Sequence, residues 1–456
     1  VEQKSNLKPQ YCNQELTEFN QNLVATYYQR GKSNLRLKNY LAALQDFDTV
    51  LEIDPQNVKA YLIRGYTYGE IKDFNQEIAN YSTAIVLNPK LAKAYRSRGY
   101  AYGILQQYQQ AIADLNQAVK LDPNYIQAYF NLACIYHLVA QHHLAIDNFT
   151  QVIQLDPQNA QAYYHRGNIY QYLEDYPAAI DDFTQVIVYN PDHAQAYRSR
   201  GQVHFQRENY RSAIIDYSQA IFLNPQDWQS LYYQGHSYRQ LADYPNAWAS
   251  YSEVIKLKPR LASIYRDRGY VSGKLKDYTG AIADYTHGIK CEPQHPVNYY
   301  HRANAHSFLR QDRQAIADYT KCIELEPNYH QAYFNRGVAY SSLREYHKAI
   351  DDYNLALTTL ALTNKSQSPV IYNNRGIAYQ QLKQYQQAIA DYTQAIFLDS
   401  DYADAYYNRA LVHHLLKNQQ KFFQDLATAQ NLFLKQKKVK LAQRASEMIQ
   451  QLDQGI

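Results

Sequence analysis

Residues 160–175, AQAYYHRGNIYQYLED, and residues 176–191, YPAAIDDFTQVIVYNP, decide the fold. In the first stretch Tyr163, Arg166, Gly167 and Tyr170 stand at i, i+3, i+4 and i+7, which is one face of a helix. In the second, Tyr176, Ala179, Ile180, Phe183, Val186 and Ile187 keep helical spacing. Asp175 is placed to accept a hydrogen bond from a free amide of the second helix. Pro177 suits that helix's first turn, where an N–H is not needed. Pro191 stops it.

The same text recurs along the chain. Pro55, Pro89, Pro123, Pro157, Pro191, Pro225, Pro259, Pro293 and Pro327 are all 34 residues apart. Gly31, Gly65, Gly99, Gly167, Gly201, Gly235, Gly269 and Gly337 keep that interval, with Ala133 and Ala303 in the gaps. So do Ala111, Ala145, Ala179, Ala213, Ala247, Ala281, Ala315 and Ala349. A fixed period of this length is the signature of a stacked solenoid. Small residues at positions 8 and 20 of each repeat let two antiparallel helices approach closely. Large residues at positions 4, 11, 17 and 24 fill the space around them. One such pair cannot bury its apolar face alone, so it stacks on the next.

This reading divides the 456 residues as follows. Residues 1–23 are an N-terminal extension, partly helical through Leu16, Phe19 and Leu23. Residues 24–363 are repeats 1–10, and 364–368 (NKSQS) an insert. Residues 369–436 are repeats 11 and 12. Residues 437–456 are a capping helix with its tail, through Leu441, Ala445, Met448, Ile449 and Leu452. The fold class is all-α, a solenoid of about twelve tandem helix–turn–helix repeats with a C-terminal cap. Phe422, at the small position 20 of repeat 12, predicts a wider gap there.

The pattern resembles the tetratricopeptide repeat family. Repeat 3 carries its motif as Tyr95, Gly99, Tyr102, Tyr108, Ala111, Leu115, Ala118 and Pro123. Repeat 5 carries it as Tyr163, Gly167, Tyr170, Tyr176, Ala179, Phe183, Val186 and Pro191, with Val186 departing from the small residue expected. The wording of many repeats, such as YNNRGIAYQQLKQYQQAIADYTQAIFLD, resembles bacterial members, cyanobacterial ones in particular. The resemblance implies a right-handed superhelix whose first helices line a concave groove and whose second helices pack outside. It also implies a protein-binding scaffold or adaptor that holds a polypeptide in that groove for complex assembly.

The repeats align with one another, and this exposes a charge pairing. Position 7 is arginine in ten repeats and position 23 aspartate in nine. The two repeats without the arginine, with Leu132 and Gln234, also lack the aspartate, having Asn148 and Ser250. Only repeat 2 breaks the match, with Arg64 and Asn80. The expectation is structural ion pairs within one repeat: Arg166 with Asp182, Arg200 with Asp216, Arg336 with Asp352. A partly buried pair of this kind gives register more than net stability.

By the same resemblance, positions 2, 5, 6, 9, 12 and 13 face the groove. They carry Lys32, Arg36, Lys59, Lys93, Arg96, Arg198, Arg239, Arg266 and Lys274 against Glu70, Asp267 and Asp404. A positive excess in a concave surface focuses field lines. Aromatics are interleaved, and Tyr offers rigid area with a hydroxyl. The candidate partner-binding residues are Lys59, Lys93, Arg96, Tyr100, Phe130, Tyr164, Arg198, Tyr232, Arg239, Arg266, Tyr300, Asn304, Phe334, Asn335, Asn374 and Tyr407. The expected ligand is an acidic or polar protein or peptide; packing between first helices is the other role open to each aromatic. Some family members clamp a terminal carboxylate, but Tyr300, Val370 and Asn374 stand where that clamp needs charges.

Competing readings are single-stranded RNA along the groove, and a regulatory repeat region of a larger enzyme. A net charge of +4 is weak against RNA binding. No HExxH motif, Cys/His zinc spacing, phosphate loop or nucleophile motif occurs, so an enzyme, a metal and a cofactor are not expected. His142–His143 and His413–His414 are neighbours, and consecutive helix residues do not share a face. Cys134 is a candidate thiol at position 9. Four scattered cysteines suit a reducing compartment, which makes cytoplasmic the expected location. No apolar run is long enough to span a membrane. VEQKSNLKPQYCNQELTEF has no signal-peptide core.

Overall fold

Many of the helices begin where a side chain of the repeat satisfies a loose backbone amide. The structure is a computed structural model that describes residues 7–362 and 368–453, with side chains for 15–362 and 368–450. Side-chain caps recur: Asn57 Oδ1 accepts from Ala60 N at 3.1 Å and Asp175 Oδ1 from Ala178 N at 3.3 Å. Pro177 and Pro245 fall in the first turns of their helices. The turn inside each repeat is a Schellman motif, with Asp175 N donating to Tyr170 O at 2.9 Å and Glu174 N to Gln171 O at 3.1 Å. Its left-handed residue is never glycine. Lys38, Lys72, Gln106, Ala140, Glu174 and their equivalents adopt φ near 60° without it, for example 59° at Ala140.

The helices group into two bodies, Val1–Pro225 and Gln226–Ile456. In the N-terminal body the helices pair as α1 (Leu7–Arg36) with α2 (Tyr40–Ile53), α3 (Val58–Glu70) with α4 (Phe74–Leu87), and α5 (Ala92–Ile104) with α6 (Tyr108–Leu121). Next come α7 (Ile126–Leu138) with α8 (His142–Leu155), α9 (Ala160–Tyr172) with α10 (Tyr176–Tyr189), and α11 (Ala194–Gln206) with α12 (Tyr210–Leu223). In the C-terminal body α13 (Trp228–Gln240) pairs with α14 (Tyr244–Leu257), α15 (Ala262–Lys274) with α16 (Tyr278–Cys291), and α17 (Pro296–Phe308) with α18 (Asp312–Leu325). Then α19 (His330–Ser342) pairs with α20 (Tyr346–Leu362), α21 (Pro369–Gln381) with α22 (Tyr385–Leu398), and α23 (Ala403–Leu415) with α24 (Gln419–Lys435). The last helix, α25 (Val439–Asp453), packs on α24. Among the described residues the fold is all-α.

Burial follows the repeat arithmetic. One cluster joins Ala133 of α7 and Ala145, Phe149 and Val152 of α8 with Ala162 and Ile169 of α9. Each core therefore belongs to a pair and to the first helix of the next, as stacking requires. The close approach is real at Gly167, where a Cβ would stand 2.9 Å from the ring of Phe183. Within each body, successive first helices approach one another more closely than second helices do, as α5 does α7 and α17 does α19. First helices thus form the inner side of each stack.

The ends behave differently. α1 reaches back to Leu7, yet Leu16 and Phe19 are exposed. Phe422 does not hold α23 and α24 apart. It is buried in one cluster with Ala410, Leu426 and Ala445, the alanines of the flanking helices supplying its room. Lys435 Nζ at the end of α24 reaches Asp401 at 2.8 Å and Lys438 Nζ just before α25 reaches Asp404 at 3.0 Å, tying both helix ends to the start of α23. Of the NKSQS insert, Asn364–Gln367 lie outside the described residues and Ser368 is the N-cap of α21. The side chain of Leu452 also lies outside them.

Candidate functional site

Two constructions repeat along the first helices, one that holds helices together and one that faces outward from the inner side. The first is an arginine clip. Arg166 Nε and Nη2 donate to the two carboxylate oxygens of Asp182 at 2.8 and 2.7 Å. Arg200 reaches Asp216 at 2.9 and 2.7 Å, and Arg336 reaches Asp352 at 2.8 and 2.7 Å. The remaining Nη1 reaches into the preceding repeat, to Thr150 Oγ1 at 2.8 Å, Thr184 Oγ1 at 3.0 Å and Thr320 Oγ1 at 2.9 Å. Each guanidinium thereby fastens three helices. Arg64 shows the same rule in altered form: it donates to Asn80 at 2.7 Å and to Asp48 of the preceding repeat at 2.5 Å. Repeat 7 replaces the pair with a neutral bond, Ser250 Oγ to Gln234 Oε1 at 2.9 Å. Burial pushes the Asp182, Asp284 and Asp352 carboxyls up, against the pull of their arginine bonds.

The second construction is the inner face. In the N-terminal body Lys59 and Lys93 are exposed on α3 and α5. Arg96 lies over the Tyr100 ring at 5.6 Å, and its buried Nε has no hydrogen-bond partner. Asn131 Nδ2 on α7 is a second buried donor without one. Arg198 is half-buried on α11. Two of the aromatics turn to packing. Phe130 meets Phe149 edge-on at 5.3 Å and His165 at 5.5 Å; Tyr164 lies 5.9 Å from Phe183 and 4.9 Å from His193. Cys134 is half-buried, and burial pushes its thiol up to about 11, away from thiolate reactivity.

In the C-terminal body two of the cations are matched from within, while Lys274 lies over the Tyr270 ring. Arg239 Nη1 reaches Asp267 at 2.9 Å, Tyr232 Oη donates to the same carboxylate at 3.1 Å, and His236 Nε2 lies 3.6 Å from it. Burial drives His236 down to about 4, so it is neutral near pH 7. Arg266 Nη1 reaches Glu292 at 2.6 Å. Charge reversal at Arg239 or Arg266 would therefore break internal pairs before it tested any ligand.

Tyr300, Asn304 and Asn335 do come together. Asn304 Oδ1 accepts from Tyr319 Oη at 2.6 Å and from Asn335 Nδ2 at 3.0 Å, and Asn335 Nδ2 also donates to Tyr300 Oη at 3.2 Å. Beside them lie two cavities that share Asn304 and Phe308. One, of ≈ 320 Å³, is lined by Gly273, Lys274, Tyr278, Tyr285 and His301. The other, of ≈ 370 Å³, is lined by Ser307, Tyr319, Asn335 and Val338. Phe308 is 67% exposed and stacks on Tyr278 at 4.8 Å. A Cβ on Gly273 would meet no atom within 4 Å, so its absence widens the first cavity. A glycine at position 12 was the available signal for that opening. The other candidates lie apart: Phe334 is 6.0 Å from Tyr353, Asn374 Nδ2 bonds Val370 O of its own helix at 3.0 Å, and Tyr407 sits 6.1 Å from Phe433 beneath α25.

Among the described residues no group of three or more His, Cys, Asp or Glu is placed to hold a metal ion, and no helix is long and apolar enough to cross a membrane. Models of the tetratricopeptide repeat match residues 24–57, 104–139, 141–173, 166–228, 297–329, 330–359 and 369–402, which together make up more than half of the chain. No curated protein matches it. Among solved structures, that of MamA protein is 26% identical over 38% of this chain and 94% of its own, with a TM-score of 0.36. YrrB, described as a TPR protein with an unusual peptide-binding site, is 20% identical over 41% and 95%, at 0.37. The C-terminal part of a TPR repeat-containing protein from Cytophaga hutchinsonii is 18% identical over 53% and 98%, at 0.48.

Proposed function

The chain belongs to the tetratricopeptide repeat family, and on that footing we propose that it is a non-catalytic scaffold whose inner face holds an extended polypeptide. The observation that carries this reading is the Asn304–Asn335 bridge. Its bonds use Asn304 Oδ1 and Asn335 Nδ2. That leaves Asn304 Nδ2 as a donor and Asn335 Oδ1 as an acceptor, neither with a partner among the described residues. A donor and an acceptor of this kind can pair with the C=O and N–H groups of an extended peptide. The flanking cavities with Tyr278, Tyr285 and Phe308 suit an aromatic or branched side chain of the same segment. For an acidic ligand, Lys274 in the lining of the first cavity supplies attraction, since Asp267 and Glu292 already pair with Arg239 and Arg266.

Peptides selected from a displayed random library against the purified chain test this reading. Asn304→Ala with Asn335→Ala, and separately Phe308→Ala, are expected to weaken the selected peptides at least ~tenfold at unchanged helix content. Affinities equal to the parent chain in both variants would overturn it.

A further inference from the structure

Repeat 4 departs from its neighbours in more than one way. It has Leu132 and Asn148 where others have the arginine clip, and it carries His137 at position 12 and His142 at position 17. Position 17 is tyrosine in most repeats, among them Tyr108, Tyr176 and Tyr210. The two histidines flank the tight turn between α7 and α8, whose left-handed residue is Ala140. That turn has the same backbone bonds as in every other repeat, so the separation of positions 12 and 17 is fixed by the fold. Ala140 N donates to His137 O at 3.0 Å and Gln141 N to Tyr136 O at 2.8 Å.

This fixed turn brings the two imidazoles edge to edge. Their Nδ1 atoms are 3.3 Å apart, with ring planes inclined at 52°. At this distance one ring can donate an N–H to the other's lone pair. Two imidazole nitrogens each ~2.0–2.1 Å from a tetrahedral transition-metal ion stand about 3.3 Å apart. The observed separation therefore suits one ion held by both rings as well as it suits a hydrogen bond between them. His142 is held in place by the Tyr172 ring at 4.9 Å, while His137 is exposed, so an ion and its waters have access. His165 is not a third ligand, since it lies between Phe130 at 5.5 Å and Phe149 at 5.7 Å.

We infer that His137 Nδ1 and His142 Nδ1 form a two-imidazole site for a borderline transition-metal ion such as Zn²⁺ or Cu²⁺. Two protein ligands leave the ion's remaining positions to water, or to one donor side chain of a molecule bound nearby. The site stands apart from the peptide reading, because it lies in the N-terminal body and needs no polypeptide.

Zn²⁺ alone, titrated into the tag-free chain by calorimetry and followed by histidine nitrogen NMR, tests it. His142→Tyr and His137→Gln restore residues that other repeats hold at these positions, as in Tyr176 and Gln171, so both should fold. Expected is one equivalent of Zn²⁺ with the Nδ1 signals of His137 and His142 displaced. Each variant should weaken binding at least ~tenfold, while His143→Gln leaves it within about twofold. Cu²⁺ should bind more tightly than Zn²⁺. No stoichiometric binding by the parent chain, or binding that survives both substitutions, would overturn the assignment.

Discussion

Asp182→Ala isolates what an arginine clip does. The substitution removes both carboxylate acceptors and leaves Arg166 with one bond, to Thr150. The guanidinium stays between the Tyr163 and Tyr170 rings, at 5.6 and 5.8 Å, with a side chain only 15% exposed. Orphaning one member of a buried pair costs about 3–5 kcal/mol, and the surviving Thr150 bond places this case at the lower end, ~3 kcal/mol. For a body of this size that is roughly a 6–12 °C fall in the melting temperature. Asp192→Ala, at an exposed turn residue, is the control and should shift melting little. The informative variant is Arg166→Gln with Asp182→Ser, copied from the Gln234–Ser250 pair of repeat 7. Burial already disfavours ionisation of Asp182, so a neutral bond in its place should cost less than Asp182→Ala alone. Thermal unfolding by circular dichroism measures all three, with hydrogen exchange across α9 and α10 locating the loss. Equal melting of Asp182→Ala and Asp192→Ala would refute the reasoning. So would a double variant as damaged as the single one.

Two further substitutions remove departures from the repeat. Glu77 takes position 20, where Ala111 and Ala179 stand elsewhere, and burial raises its carboxyl to about 7. A raised acid favours the fold while protonated and loses that contribution as pH rises through the folded pKa. Melting should therefore fall between pH 5 and pH 8 by an amount reflecting roughly 3 kcal/mol. Glu77→Ala should flatten that dependence, and parallel curves for the two proteins would contradict it. Asn298 is fully buried with neither Nδ2 nor Oδ1 bonded, at a position held by alanine in Ala162, Ala196 and Ala332. Asn298→Ala should raise stability by about 1–2 kcal/mol in denaturant unfolding; a loss would mean the amide is satisfied.

The repeat was legible because its signals are residue types with one physical meaning each. Proline stops a helix, and a small residue permits contact. Other parts were not legible. The third bond of each clip ends on a position filled by Asp48, Ser82, Thr150 or Asn354, so no single letter marks it. The left-handed turn residue is Lys, Gln, Ala, Glu or Arg, and no glycine announces it. On the inner face, the repeat pattern does not say that Phe130, at position 5, packs on Phe149 while Phe308, at position 13, stays open beside a cavity. Nor does sequence show that Asp267 of one repeat reaches back to Arg239 of the repeat before it. That depends on the stagger between first helices, which only the packed structure sets.

The division of labour between inner and outer helices is most directly measured by footprinting. Side-chain oxidation of the chain, with and without a saturating selected peptide, reports which surfaces become covered. Protection is expected at Tyr270, Tyr300 and Phe308 on the first helices, with Phe397 on α22 and Phe222 on α12 reacting as before. Protection of Phe397 or Phe222, with the first-helix residues unchanged, would contradict it.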